Sequence, residues 1–383
     1  MTTLLKGAHL LDAKLDYLEA DVLVSDEFIE AVGKFHSADR IIDLSGCTLM
    51  PGFIDAHAHV TSGGPYDGEN LLAWAYNGVT TVRDLGLLSE TDGAVYVKWL
   101  RNNDPERARV ITAGKYIDVP GGYGCGPDPD MMVGIIAHSP EEAADAVTAQ
   151  FNYGVDTIKI GIGDDNGPSG PVNKMPPEMI KAIADRCHRH GMKLTAHVME
   201  AETLKMLVAL GIDDAAHTPA DKPIAPEVLK YMAENKITMI TTIGDPDKKP
   251  PAGAPREFAE MMEKMGPIRR RVILENLMAF RNAGGTIAIG TDLIHSEDYR
   301  ADASIPVAEM RQMAEAGFTF REIIACATLN AAKVCGTDAE EGSIEPGKRA
   351  NFAAFRGSID DRFTAFKNPV FVMNRGIVIR NQL

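Results

Sequence analysis

From Met50 onward the chain repeats one pattern: a short apolar run ending in polar residues, then a helix-length amphipathic stretch. A strand shows alternate residues to opposite faces, whereas a helix collects every third or fourth residue on one face, so the pattern spells βα units. Strands linked by helices run parallel, and a parallel sheet needs cover on both faces. Strands are expected at about 52–60, 79–84, 109–117, 155–162, 193–198, 212–217, 237–243 and 286–292. Helices are expected over 140–152, 177–190, 201–210 and 226–234, several opened by Pro or by an acidic first turn. Eight βα units need roughly 250 residues as a (β/α)8 barrel of TIM type, and a chain of 383 residues leaves room for one smaller domain.

The ends of the chain supply that domain. Residues 1–50 alternate short apolar runs (22–24, 28–32 and 41–44) with turn residues and contain no convincing helix. After a helix at about 320–334, short strands return at 352–355, 370–373 and 377–379. A small β-sandwich built from 1–50 plus 340–383 is therefore expected beside a barrel spanning 51–339. The stretch 244–255, rich in Pro, Asp, Lys and Gly directly after the seventh strand, reads as a long loop over the barrel mouth and a lid candidate.

Composition narrows the class of partner. Hydrophobic residues make up 45% of the chain and charged residues 24%, enough for a sizeable core. A formal net charge of -15 disfavours nucleic acid and anionic membrane, which need concentrated Lys and Arg. A small-molecule substrate fits better, and a homo-oligomer stays open. The first residues form no leader-like pattern and no apolar run approaches a membrane span, so a cytoplasmic location is the expectation. Cys47, Cys125, Cys187, Cys326 and Cys335 include no CxxC pair and read as small buried hydrophobes.

Polar residues at the strand ends carry the chemistry. His57 and His59 share one face of the first strand, so two imidazoles converge without a turn. His197, His217 and Asp292 end the fifth, sixth and eighth strands, where barrel enzymes build their sites. Any one of them alone could be a hydrogen-bonded core histidine or a helix-capping aspartate; five at strand ends point to a metal site. Lys159 interrupts the fourth strand between Ile158 and Ile160, which should face the helices, leaving its ammonium in the barrel interior. Burial without a partner lowers a lysine pKa, and a neutral amine can take up carbon dioxide as a carbamate able to bridge two metals. The alternative is an ion pair with Asp292 or Asp84.

Taken together, Pro51 through His59, Lys159, His197, His217 and the Gly-Thr-Asp ending at Asp292 resemble the amidohydrolase superfamily over nearly the whole chain. The runs 78–84, 327–332 and 342–348 resemble its imidazolonepropionase-like branch, which includes Xaa-Pro and related dipeptidases. The resemblance implies a binuclear site: His57, His59 and Asp292 on the buried metal, His197 and His217 on the exposed one, carboxylated Lys159 and a hydroxide between them. Two divalent ions, zinc by preference with iron or manganese as alternatives, would activate that hydroxide for attack on an amide carbonyl. Asp292 would carry the proton to the leaving amine. N-acyl amino acids, dipeptides and cyclic amides are the implied substrates.

Two residues depart from the dipeptidase pattern. Where related peptidases carry Gly-Gly-His-Gly, this chain has Tyr123, either a hydrogen-bond donor to substrate or a plain loop aromatic. Glu200 follows His197 by three residues, as in mononuclear cyclic-amide hydrolases and deaminases that use it as acid and base; it could equally occupy a helix first turn. Arg83 and Asp84 at the end of the second strand are candidates to order the site or contact substrate, and His138 and His295 to touch substrate from loops. A non-catalytic scaffold is the remaining alternative, disfavoured because all six ligand types are present.

Overall fold

The computed structural model describes residues 1–14, 18–60, 69–86, 98–99, 102–123, 134–163, 172–247, 256–293, 302–357, 359 and 363–383, with the backbone alone at 69, 257–259, 261 and 262. Strand Phe53–Ala58 pairs in parallel with Val79–Asp84, which pairs with Arg109–Thr112. Thr157–Gly161, Lys193–His197, Asp214–Ala215, Thr238–Ile240 and Ile287–Ala288 continue the parallel order, each bonded to the next. Backbone bonds from Ala56 N to Ile289 O (3.0 Å), His59 N to Leu293 O (2.8 Å) and Asp292 N to His57 O (2.7 Å) tie the end of the last strand to the first. This is a TIM-barrel-like α/β fold.

The third strand differs from its expected 109–117 run. It breaks after Thr112 and resumes as Tyr116–Asp118, so the first half bonds to the second strand and the second half reaches the fourth. Gly114 sits in the break at φ 62°, a conformation glycine reaches without strain. A further strand, Gly134–Ile136, pairs with Tyr116–Asp118.

Local chemistry explains the helices. In Pro140–Tyr153 the Ser139 hydroxyl accepts the Glu142 N–H at 3.2 Å, and Gly154 closes the other end at φ 87°. Ile158 and Ile160 are fully buried in one apolar cluster with Val147, Ile180 and Ile183 of the flanking helices, which turns Lys159 toward the opposite face of its strand. The helix expected at 320–334 is two helices, Phe320–Ala327 and Leu329–Cys335. They part at Thr328, whose hydroxyl donates to Ile324 O at 2.7 Å and whose backbone leaves the helical region.

At the chain ends, Phe352–Arg356 pairs antiparallel with Cys47–Pro51 in a six-stranded sheet. A four-stranded sheet runs in the order Phe28–Gly33, Asp21–Ser25, Thr2–Lys6, Arg40–Asp43. Leu5, Val22 and Ile42 of the smaller sheet share an apolar cluster with Leu49, Phe352 and Phe371 of the larger. Cys47, Cys187 and Cys326 are free and buried and Cys335 half-buried, whereas Cys125 lies outside the described residues. Among the described residues no helix is long and apolar enough to cross a membrane.

Candidate metal centre

His57, His59 and Asp292 come together at the end of the first and last strands. The two Nε2 atoms lie 3.3 Å apart, and Asp292 Oδ1 is 3.2 Å from His57 Nε2 and 3.0 Å from His59 Nε2. His57 Nδ1 contacts Ala216 O at 2.8 Å and His59 Nδ1 contacts Gly86 O at 2.6 Å. A carbonyl only accepts, so each Nδ1 carries the proton and each Nε2 presents a lone pair. Burial, then the Lys159 charge, bring His57 down to about 4, so its ring is neutral near pH 7. Three lone-pair atoms in contact repel one another unless a cation lies between them, and this N,N,O donor set fits a divalent metal.

The other two histidines stand beside this group. The His217 ring centroid is 4.7 Å from that of His57 and 4.4 Å from that of His197. Burial pushes both His197 and His217 well below the usual imidazole range. His217 Nδ1 meets Thr242 Oγ1 at 3.0 Å. Asp292 has φ 54°, a conformation unusual for any residue but glycine and best tolerated by Asp and Asn. Burial acts to raise its pKa, but the neighbouring histidine rings outweigh it and hold the carboxylate well below its usual range.

Lys159 is 1% exposed, and its Nζ has no hydrogen-bond or ion-pair partner among the described residues. It pairs with neither Asp292 nor Asp84, contrary to the alternative raised by the sequence. Its ammonium lies 5.7 Å from the Tyr116 ring centre, and burial lowers its pKa to about 7 despite the attraction of Asp292. Tyr116, itself buried, escaped the sequence reading because a tyrosine in a strand looks like ordinary core.

Close packing brings these side chains together. Asp55, on the same strand face as His57, takes the Thr291 hydroxyl at 2.6 Å and the Thr291 N–H at 3.1 Å, coupling the first strand to the segment that carries Asp292. A side chain at Gly290 would place its Cβ 2.6 Å from His57 Cβ and 2.8 Å from His57 N. Gly290→Ala is therefore expected to displace His57 and lower metal affinity by at least tenfold, on the order of what a lost supporting contact costs. Competition with a chromophoric chelator measures it; native affinity in the variant would show that the site does not need this close approach.

A model of the amidohydrolase family matches residues 48–380. The chain belongs to that family. An uncharacterized protein of Mycobacterium tuberculosis is 24% identical over 310 residues, covering 78% of this amidohydrolase and 77% of the relative. A crystal structure described as a Xaa-Pro dipeptidase with bound methionine superposes with a TM-score of 0.81 at 23% identity, covering 100% of both chains. The structure of A. niger ochratoxinase gives 0.80 at 20% identity, covering 99% of this chain and 96% of that one. An adenine deaminase of Listeria innocua is 40% identical over 67 residues, only 18% of this amidohydrolase and 12% of the relative.

The remaining candidates fall in different places. Arg83, expected to contact substrate, is fully buried: its guanidinium grips Asp214 at 2.7 and 3.1 Å and also donates to Ala56 O and Thr195 Oγ1. Arg83 thus forms an internal ion pair of the barrel. Asp84 is likewise fully buried and receives the Thr112 hydroxyl at 3.2 Å. Tyr123 is half-buried and stacks on His197, ring centroids 3.9 Å apart and 24° between planes. Its ring lies over Gly161, where a Cβ would come within 3.0 Å of Tyr123 Cδ1. Glu200 is the N-cap residue of helix Ala201–Leu210, one position before the expected first turn, and makes no capping bond through its side chain. His138 is exposed, its N–H donating to Glu142 Oε2 at the start of a helix, so it belongs to a helix cap. His295 and residues 248–255 of the lid candidate lie outside the described residues.

Proposed function

We propose that this amidohydrolase cleaves an amide C–N bond of a small molecule, such as an N-acyl amino acid, a dipeptide or a cyclic amide, at a binuclear metal centre. The convergence of the His57, His59 and Asp292 lone pairs beside a buried Lys159 that is unpartnered among the described residues carries this reading. His57, His59 and Asp292 would hold one ion, His197 and His217 the second, and Lys159 would join them as a carbamate. In that step the neutral amine attacks carbon dioxide, an N–C bond forms as one C=O π bond opens onto oxygen, and one amine proton passes to water; a pKa of about 7 supplies the neutral amine. Zinc suits the donor set. Bound there, divalent metal supplies Lewis acidity that acidifies water and polarises a carbonyl.

The chain's own groups do the rest. Ala216 O and Gly86 O orient the two imidazoles of the first strand. Asp292 accepts the proton of the attacking water and passes it to the leaving nitrogen. Tyr123, stacked on His197, would meet the substrate. The eight strands act as a closed (β/α)8 barrel over 51–339, and the two sheets from 1–50 and 340–383 as a β-sandwich domain beside it. The protein would act in the cytoplasm on a small-molecule substrate, with no role for nucleic acid or membrane.

A mononuclear aminohydrolase using Glu200 is the second reading, favoured by the fact that only His57, His59 and Asp292 bring three ligand atoms within 4.8 Å of one another among the described residues. Metal counting on protein purified without chelator separates the two. Two equivalents per chain, with Lys159→Ala losing one equivalent and at least about 100-fold in activity, supports the binuclear centre. One equivalent and an active Lys159→Ala variant would establish the mononuclear enzyme, and no bound metal a scaffold. A panel of N-acyl amino acids, dipeptides, lactams and deamination substrates then assigns the bond cleaved.

A further inference from the structure

Glu309 is an acid where a covering helix would ordinarily place an apolar residue. It lies in Val307–Ala316, is 3% exposed, and is not one of the candidate ligands. One oxygen, Oε2, meets the Thr241 hydroxyl, and the other, Oε1, accepts the Gly244 N–H at 3.3 Å. Gln312, one turn further along the helix, donates to Gly244 O at 2.7 Å. The helix therefore grips the end of the seventh strand on both sides of Thr242.

Thr242 needs such a grip. It sits at φ 39°, in the left-handed region where a β-branched residue is strained and persists only if its surroundings hold it. Its N–H bonds to Gly290 O at 3.1 Å, and the Gly290 N–H reaches Thr241 Oγ1 at 3.3 Å, so the neighbouring strand supports the same turn. The strained backbone delivers Thr242 Oγ1 to His217 Nδ1 at 3.0 Å. A hydroxyl that accepts from Nδ1–H leaves Nε2 as a lone pair, as a metal-ligating histidine requires. Burial raises the Glu309 carboxyl to about 8, with the Asp55 charge adding to the effect, so near neutrality it is largely a neutral acid that can also donate.

We propose that Glu309 is a positioning residue: by clamping the backbone on either side of Thr242 it holds the hydroxyl against His217 Nδ1, where the hydroxyl accepts from Nδ1–H and keeps Nε2 free to bind metal. The inference rests on reading His217 as a metal ligand, and it deepens that reading by assigning the group that prepares the ligand.

Two readouts test it. In the metal-free chain, long-range 1H–15N spectra of the histidine rings should show His217 as the Nδ1–H tautomer. Glu309→Ala should convert it to Nε2–H or a mixture, leaving His57 unchanged. In metal titrations Glu309→Ala should take up the second equivalent at least about tenfold more weakly and the first equivalent normally. Glu309→Gln keeps an acceptor and a donor in place and should stay within about threefold of the native chain. Thr242→Ala leaves the buried acid untouched, reproduces the effect if the relay is right, and serves if Glu309→Ala does not fold; the double variant should then be no worse than either single one. A native His217 tautomer in Glu309→Ala or Thr242→Ala, or additive losses in the double variant, would overturn the proposal. A native chain that binds no second metal would instead refute the binuclear reading, while the tautomer comparison still decides the role of Glu309.

Discussion

Asp292→Asn is expected to lower kcat by about 100- to 10,000-fold, the range associated with a positioned acid or base. Asparagine is the right replacement because position 292 has φ 54°, which Asn tolerates and most side chains do not. It also keeps an oxygen near the two Nε2 atoms now 3.0 and 3.2 Å from Oδ1, so the backbone bond to His57 O should survive and the fold with it. What disappears is the negative charge, and with it the ability to accept a proton from water. Steady-state kinetics on the amide identified by the substrate panel, with metal content measured on the same sample, checks the result. A metal-loaded variant with near-native kcat would remove Asp292 from proton transfer and leave it as a ligand only.

Asp214→Ala should cost about 3–5 kcal/mol of folding free energy, because it abandons the Arg83 guanidinium in the barrel interior. Both side chains of this pair are 1% exposed, so solvent cannot take over the lost contacts. Burial works against the Asp214 carboxylate, but the charge and hydrogen bonds of Arg83 overcome it and set its pKa below the ordinary range. The folded chain thus binds fewer protons at this position than the unfolded chain. The stabilisation is fully present above the unfolded carboxylate pKa of about 4 and is lost as pH falls through the folded value. The native and variant curves should accordingly converge in acid and separate toward neutrality, as read by urea denaturation at a series of pH values. Replacing both partners together by apolar residues, as in Arg83→Met with Asp214→Leu, should recover much of the loss. A single variant within about 1 kcal/mol of native at pH 7 would show that water reaches the guanidinium.

These two residues illustrate what can be read from a chain of this kind. Asp292 is legible because it ends a regular apolar run, and in a parallel barrel the ends of such runs gather at one mouth. His57, His59, His197 and His217 are legible for the same reason, and Lys159 because Ile158 and Ile160 on either side declare which strand face is apolar. Arg83 lies near a strand end too, yet the same rule does not reveal its contacts. Its partner is 131 residues away, and no local pattern reveals that Asp214 projects across the interior to meet it.

The His-x-His strand, the polar strand ends and the buried lysine, together with the βα repeat that sets them in order, were determined by the sequence alone. Alternation and helical periodicity are local properties, felt residue by residue. Only the tertiary structure decided which polar groups lie in contact: the three lone pairs of His57, His59 and Asp292, the Arg83–Asp214 pair, the stacking of Tyr123 on His197, and the grip of Glu309 on the turn that carries Thr242. Those contacts depend on strand register and on close approaches such as that of Gly290 to His57, which form only when the separate strands are packed side by side.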